Sequence, residues 1–307
     1  MPVVGEFSVL LPVYRADRPE FFARAVESVT VDQERRPSEL VIVCDGPIGP
    51  HLAAVVDRAR GGSLTGGVPV RVVTLPENLG LAGALEAGLA ACAHEIVARA
   101  DADDVSLPRR FAVQVPIVED GVDLLSSAVA EFGSDESRRG LVRSWPTDAD
   151  AIAALARFAD PFNHPSVVYR RSAVTAAGGY EHVDRMEDYW LFVRMIAAGA
   201  RVANVAEPLV LYRVGAGAYE RRGGLRLLRS EMDLQWRMLR SGFTTRVQFV
   251  RNVAVRGVWR VTPSVVRQPA YGIATRVRGR GPAGAVLWSG SRRRASAGTI
   301  GKGERER

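Results

Sequence analysis

Lysine is almost missing from this 307-residue sequence: Lys302 is the only one among 41 basic side chains. Cysteine is nearly absent as well. Cys44 and Cys92 are the only two, both set in apolar segments, which excludes a disulfide framework. No window approaches the roughly 18 uninterrupted apolar residues that a membrane-spanning helix needs. The opening MPVVGEFSVLLPVY has no basic stretch before its apolar run and no small-residue cleavage site after it. It therefore reads as a core strand, not as a secretory leader. Of the four histidines, His51, His94 and His182 are not spaced like a metal site. No internal repeat is evident. These absences predict a cytoplasmic globular protein. The excess of arginine over lysine, alongside much Ala, Gly and Val, is also what a GC-rich genome produces.

What is present is ordinary in amount and uneven in placement. The chain is 47% hydrophobic and 24% charged, enough for one large α/β domain with an appendage. The formal net charge is +7. Residues 241–307 hold 14 basic and two acidic side chains, a charge of +12 that leaves −5 on residues 1–240. The sequence thus divides into a mildly acidic body, 1–240, and a basic tail, 241–307. Such asymmetry points to an anionic partner, a membrane surface or a nucleic acid. The tail shows no nucleic-acid-binding motif, so no nucleic acid is expected.

Along the body, strand-like and helix-like segments alternate. Residues 7–13, 40–44, 70–74 and 95–100 are short, apolar runs suited to strands buried on both faces. Residues 18–29, 51–60 and 80–92 carry helical spacing between them. This alternation predicts a doubly wound, mostly parallel sheet flanked by helices. After Pro108 the pattern weakens. Strands are expected near 123–130, 166–169 and 209–212, and helices at 149–157, 186–198 and 225–239. The Gly- and Arg-rich stretch 215–224 is expected to be mobile.

In such sheets ligands bind beyond the carboxyl ends of the strands. Asp45 and Asp101 both stand at such ends. The run RADADD, residues 99–104, is the sharpest chemical feature. Three carboxylates within four residues repel one another unless a cation sits among them. Oxygen ligands of this kind suit Mg²⁺ or Mn²⁺. A solvated acidic turn that caps the next helix accounts for the same residues.

The segments FSVLLPVY, VIVCDGP, ENLGLAGALEAGLAACAHEIVARADADD, NHPSVVYRRSAV, GGY and MEDYWLFVRMI occur in an order that resembles the family 2 glycosyltransferases. The likeness spans about residues 6–235 and looks closest to bacterial exopolysaccharide enzymes of the amylovoran type. The resemblance implies a GT-A fold, to which the charge count adds a basic, helical or disordered C-terminal tail. It implies an inverting transfer of sugar from a nucleotide-sugar donor, a UDP-sugar above all. The acceptor would be a saccharide hydroxyl, lipid-linked, in polysaccharide or glycoconjugate synthesis.

Residue by residue, Pro12 and Tyr14 resemble the wall of the base pocket. Asp45 matches the aspartate that accepts a hydrogen bond from the base. The sequence departs from the family there: Cys44 replaces the first acid of the usual Asp-Asp-Gly-Ser and Pro47 the serine. Asn78, Gly80 and Leu81 match the turn that borders the ribose. Asp101 and Asp103 match the DxD pair, the first near the ribose and the second on the metal. Asp104 is placed to assist either. Asp188 matches the catalytic base, with Glu187 before it; acids in a first helical turn are also favoured by the helix dipole alone. Glu187, His164 and Arg213 are candidates for acceptor or phosphate contacts, as are Arg221 and Arg222.

Two other readings remain open at this stage. A nucleotidyltransferase of similar sheet architecture would carry a Gly-rich basic signature near residues 10–24, and none is present. A catalytically inactive anion-binding scaffold is opposed by Asp45, Asp101, Asp103 and Asp188. In the tail, Val255, Val258 and Trp259 share one side of a helix flanked by Arg256 and Arg260. That pattern predicts peripheral attachment to the inner membrane face through residues 241–307. Pro263 and Pro269 limit any helix to short pieces, and disorder is expected from residue 289.

Overall fold

A computed structural model describes residues 5–214 and 225–261. The stretch 215–224, with Arg221 and Arg222, lies outside the described residues, as does the chain beyond 261. The expectations of mobility and disorder fall on those segments.

Four strands, β1 (Phe7–Tyr14), β2 (Glu39–Asp45), β3 (Val70–Thr74) and β4 (Ile96–Arg99), pair in parallel in the order β3-β2-β1-β4. Helices α1 (Pro19–Ser28), α2 (Pro50–Arg60) and α3 (Gly80–Ala91) connect them. The strand β2 shows why the sheet is covered on both faces. Leu40, Ile42 and Cys44 pack with Phe22 and Val26 of α1 and Val55 of α2. Val41 and Val43 point the other way, against Ala84, Leu85 and Leu89 of α3. At Gly88 a methyl group would stand 2.7 Å from a Val43 methyl carbon, so α3 lies against the sheet where a side chain would not fit.

Pro12 sits inside β1, a central strand where proline normally forfeits a ladder bond. The Leu10 carbonyl accepts from the Ala100 N–H, so residues 10 and 12 turn their backbone groups towards β4. The β1–β4 register ends at Leu10 and Arg99. Pro12 therefore stands where no partner strand remains.

The second half adds β5 (Val105–Ser106), α4 (Arg110–Glu119), β6 (Leu124–Phe132), β7 (Arg139–Arg143), α5 (Ala149–Ala156) and a 3-10 turn at His164–Ser166. Then come β8 (Val168–Arg170), α6 (Arg171–Ala176), α7 (Glu187–Ala197), β9 (Val202–Arg213), α8 (Leu225–Arg240) and α9 (Arg246–Val261). The sheet runs β3-β2-β1-β4-β8-β6-β9-β5, with β7 on β6. Antiparallel strands enter only here: β8 lies antiparallel between β4 and β6, while β6 and β9 pair in parallel.

Helix α4 had no clear periodicity because it contains Pro116 and buries two polar side chains, Arg110 and Gln114. Arg110 is fully buried and donates to the Ser106 hydroxyl (2.8 Å), the Gln114 side-chain oxygen (3.1 Å) and the Arg99 carbonyl (2.6 Å). It ties α4 to the end of β4. Strand β9 runs twelve residues rather than the expected four, because its pairing with β6 shifts register around Pro208, a bulge that breaks the alternation. Helix α8 and the turn after it pack behind α7: Leu234, Met238 and Phe243 share a cluster with Tyr189, Trp190 and Val193. No helix among the described residues is long and apolar enough to cross a membrane.

Candidate functional site

One wall is built where β1 and β2 end and α3 begins. Tyr14, at the end of β1, is 44% exposed, whereas Pro12 is buried in the strand. Asp45 ends β2 and is 5% exposed. Its carboxylate accepts from the Asn78 amide (2.8 Å) and the Leu79 N–H (2.7 Å), and so ties β2 to the first turn of α3. Burial raises its proton affinity, and the N–H groups of Leu79 and Gly80 oppose that rise. Gly46 (φ +79°) permits this approach: a side-chain carbon there would stand 2.7 Å from the Asn78 nitrogen. Gly80 also needs its positive φ, +75°, to start α3. Leu81 is half-buried at the helix start, while Leu79 beside it is exposed.

The floor is the acidic loop between β4 and β5. Arg99, 2% exposed, places both guanidinium ends on Asp101, with Nη1 2.7 Å from Oδ2 and Nη2 on Oδ1. Asp104 is buried; its Oδ1 accepts from the Arg213 N–H at 2.7 Å, and its Oδ2 has no partner. Burial, then the charges of Asp101 and Asp103, push its proton affinity well up. Asp103 is raised by burial and by Asp101, and Arg213 and Arg99 oppose this. Across the loop stands Asp17, held by the Tyr14 N–H at 2.9 Å. Its pKa is raised to about 6, first by burial, with Asp103 and Asp101 adding to the rise. Arg213 lies 3.9 Å above the Phe21 ring and 4.3 Å from that of Phe132, and its Nε donates to the Asp103 carbonyl. Its guanidinium braces the loop.

The opposite wall is the start of α7. Arg185, just before it, has φ +61°. Among the described residues it is the only non-glycine with positive φ, and backbone strain of this kind clusters at functional sites. Asp188 accepts from the Tyr189 N–H (2.7 Å) and lies 3.3 Å from Nδ1 of His164. Nε2 of His164 is 3.3 Å from the Tyr180 hydroxyl. Burial, and then the Arg99 charge, hold His164 neutral, well below its usual pKa. A neutral ring with its proton on Nδ1 donates to Asp188 and accepts from Tyr180. The 3-10 turn carrying His164 is fixed by serines: Ser126 Oγ accepts from the Asn163 N–H and Ser166 Oγ from the Ser127 N–H, both at 3.0 Å. Burial raises the proton affinity of Asp188, against the Tyr189 N–H and Arg99. Glu187 is raised to about 7 by burial and by Asp188. Asp160 is pushed well up by burial and by Asp188.

The sheet thus brings Asp45, Asn78, Asp101, Asp103, Asp104, His164, Glu187 and Asp188 to one edge, and the charge of Asp101 acts on Asp188. Asp17, Asp160, Tyr180 and the hub role of Arg99 were not read from the sequence. Asp17 and Asp160 are single acids in loops and carry no local signature.

The donor set fits a hard divalent cation. Asp103 and Asp104 hold protons more tightly than free carboxylates do, and Asp104 has a buried oxygen without a partner. A nearby positive charge would relieve both conditions. Among the described residues no three His, Cys, Asp or Glu side chains converge as a closed metal cage.

The pattern of glycosyl transferase family 2 matches residues 8–177. The amylovoran biosynthesis glycosyltransferase AmsE of Erwinia amylovora is 35% identical over 86% of this chain and 97% of its own. An Escherichia coli UDP-Gal:alpha-D-GlcNAc-diphosphoundecaprenol beta-1,3-galactosyltransferase is 31% identical, over 87% and 95%. The mannosyltransferase PcManGT of Pyrobaculum calidifontis, solved with GDP-Man and Mn²⁺, superposes at a TM-score of 0.58 with 17% identity, over 92% of this chain and 78% of that one. The chain spans 40% of the S. aureus TarS structure, at a TM-score of 0.56 and 15% identity. These superpositions give the fold, which is GT-A. The family match, together with relatives of this identity along nearly their whole length, makes the chain a member of glycosyl transferase family 2, a glycosyltransferase of polysaccharide synthesis.

Proposed function

We propose that this glycosyltransferase is inverting and cation-dependent, and moves a hexose-like sugar from a UDP-sugar to a hydroxyl of a lipid-linked saccharide. One observation carries the reading. Two sets of acids, at the end of β4 and at the start of α7, share one sheet edge with Arg99 buried between them. The printed name of the Escherichia coli relative supports a UDP-sugar and a diphospholipid-linked acceptor. The Mn²⁺ in the PcManGT complex supports a divalent cation, Mg²⁺ or Mn²⁺. Residues 1–240 form the catalytic part in this reading, working at the cytoplasmic face of the membrane.

Tyr14 and Pro12 border the base, Asp45 accepts its N–H, and Asn78, Gly80 and Leu81 close round the ribose with Asp101. Asp103 takes the cation, and Asp104 is its neighbour. A cation held there would supply positive charge to the diphosphate leaving group. A sugar hydroxyl is a poor nucleophile until its proton is removed, and Asp188 is the group that removes it. Its charged form is kept available by the Tyr189 N–H and the Arg99 guanidinium. His164 orients it from Nδ1. Attack from the Asp188 side, opposite the diphosphate, inverts the anomeric carbon.

The test is a screen of UDP-, GDP- and TDP-sugars for release of nucleoside diphosphate with Mg²⁺ or Mn²⁺, with and without chelator. Release from one UDP-sugar that stops on chelation supports the reading. Release indifferent to chelation removes the cation from it.

A further inference from the structure

Six large hydrophobic side chains are exposed among the described residues. Tyr14 and Leu79 border the donor wall. The other four, Trp236 (51% exposed), Val247 (79%), Val250 (63%) and Val255 (48%), all lie on the α8–α9 hairpin. Trp236 meets Phe249 edge to face at 5.9 Å, which joins the two helices into one apolar surface. Isolated exposed apolar residues are common, but a set gathered on one hairpin marks a contact site.

The charge round this surface is mainly positive. Helix α9 contains four arginines and no acid. Arg229 and Arg240 are exposed on α8, seven residues before and four after Trp236, and therefore share its helix face. Arg246 is exposed at the start of α9. Of the two acids of α8, Asp233 is paired with Arg237 at 3.0 Å and Glu231 is half-buried. Not every tail arginine faces outward. Arg256, expected to flank the apolar side of a helix, instead donates to the Phe158 carbonyl and stacks on that ring at 5.3 Å. Val258, Trp259 and Arg260 have side chains outside the described residues. Beyond residue 261 the sequence adds ten basic residues and two acidic ones.

We propose that the outer face of the α8–α9 hairpin, with Trp236, Val247 and Val250 at its centre, docks on an anionic lipid surface. The identity of the surface rests on the reading of a lipid-linked acceptor. A tryptophan beside valines enters the headgroup layer while arginines reach phosphates around it. The surrounding charge matches an anionic leaflet and not a neutral one. Docking here has a consequence for catalysis. The hairpin's inner face packs on Tyr189, Trp190 and Val193 of α7. Asn252 donates to the Arg157 carbonyl at 2.8 Å and to Gln235 at 2.7 Å, which locks α9 to α8 and to the end of α5. The helix whose first turn carries Asp188 is therefore braced directly on the docking element, and the base is held at a set position over the lipid surface.

The experiment sediments the full chain with vesicles of phosphatidylcholine, with and without a third phosphatidylglycerol, at low and high salt. The variants are Trp236→Ala with Val250→Ser, and Arg240→Glu with Arg246→Glu. All four positions are exposed, and thermal melting verifies the fold. The unchanged chain is expected to bind only the anionic vesicles. Each double variant is expected to bind at least fivefold more weakly at low salt. Variants that bind like the unchanged chain would overturn the assignment of this face. So would an unchanged chain left in the supernatant with anionic vesicles, or one whose hairpin face instead joins two copies in sedimentation. Release of UDP from UDP-sugars without vesicles is measured in parallel. Lost vesicle binding with intact release removes the surface alone, whereas vesicle binding without release from any sugar nucleotide removes the catalytic reading alone.

Discussion

Arg99 grips Asp101 with both ends of its guanidinium while remaining 2% exposed, directly under the two acidic walls. A buried charge pair is costly to break, because the survivor keeps its desolvation penalty; the loss runs to about 3–5 kcal/mol. Here the survivors would be Asp101 and, through space, Asp188, both of which depend on the same positive charge.

Arg99→Met is therefore expected to lower the melting temperature and to reduce kcat by roughly 10–100-fold, the scale of about 1.4–2.7 kcal/mol. It should also move the acid limb of the rate–pH profile upward, because Asp188 loses the charge that favours its ionised form. Arg99→Lys keeps the charge without the fork, and should restore the pH profile more than the rate. A pH–rate series on both variants, with calorimetric melting, checks this. An acid limb unmoved in the methionine variant would leave Arg99 a purely structural role.

Asp103→Ala should weaken binding of the nucleotide sugar only when Mg²⁺ or Mn²⁺ is present. The acid is expected to act through the cation, whereas the proposed nucleoside contacts, Asp45 and Asn78, are joined to each other at 2.8 Å and do not depend on it. Titration calorimetry with and without the metal separates the two contributions. Equal metal-dependent affinity in variant and unchanged protein would take Asp103 out of the site.

Acidity in this site also has a stability signature. Glu187 is raised to about 7 in the fold by burial and by Asp188, from an ordinary value of 4.5. A carboxyl that holds its proton more tightly when folded stabilises the fold below its unfolded pKa. That contribution is lost as pH rises through the folded pKa. The protein without added metal should therefore lose stability between about pH 5 and pH 8, on the order of 2–3 kcal/mol from this group. Glu187→Gln should flatten that slope. Melting curves across the range decide it; a slope unchanged in the glutamine variant would assign the loss to other acids.

The first half of the fold was legible because β1 to β4 are short runs buried on both faces, with helical spacing between them. Helix α4 was not, since Arg110 and Gln114 occupy positions where periodicity would demand apolar residues, and Pro116 interrupts the rest. The length of β9 was hidden by Pro208 and its register shift. In the site, the carboxylates of RADADD and the Glu-Asp pair at α7 stood in local motifs. Asp17 and Asp160 did not, because they join the site only through folding: Asp17 meets Asp101 and Asp103, and Asp160 meets Asp188. Arg99 was visible as a letter in the motif, but its burial beneath both walls is a tertiary fact.

Asp188 and Asp160 are two carboxyls close enough to affect each other, and only one should act as the base. Asp160 is more deeply set against ionisation: burial and the Asp188 charge both raise its proton affinity, and only the Phe162 N–H opposes them. Asp188 has the Tyr189 N–H and the Arg99 charge on its side, and Nδ1 of His164 lies 3.3 Å from its other oxygen. Of the two, Asp160 is therefore the one set to hold a shared proton more tightly, which leaves Asp188 as the acceptor. Asp188→Asn preserves shape and the contact to His164 but removes basicity. It should leave donor affinity nearly intact and lower kcat by about 10²–10⁴-fold, the usual range for a lost general base. Asp160→Asn should cost far less, about threefold or under, because an amide imitates the protonated acid. His164→Phe should fall between them, since it removes only the group that aims the base. Single-turnover transfer and donor titration on the three variants check the order. If Asp188→Asn kept more than a tenth of the turnover while Asp160→Asn lost it, the proton acceptor would be Asp160.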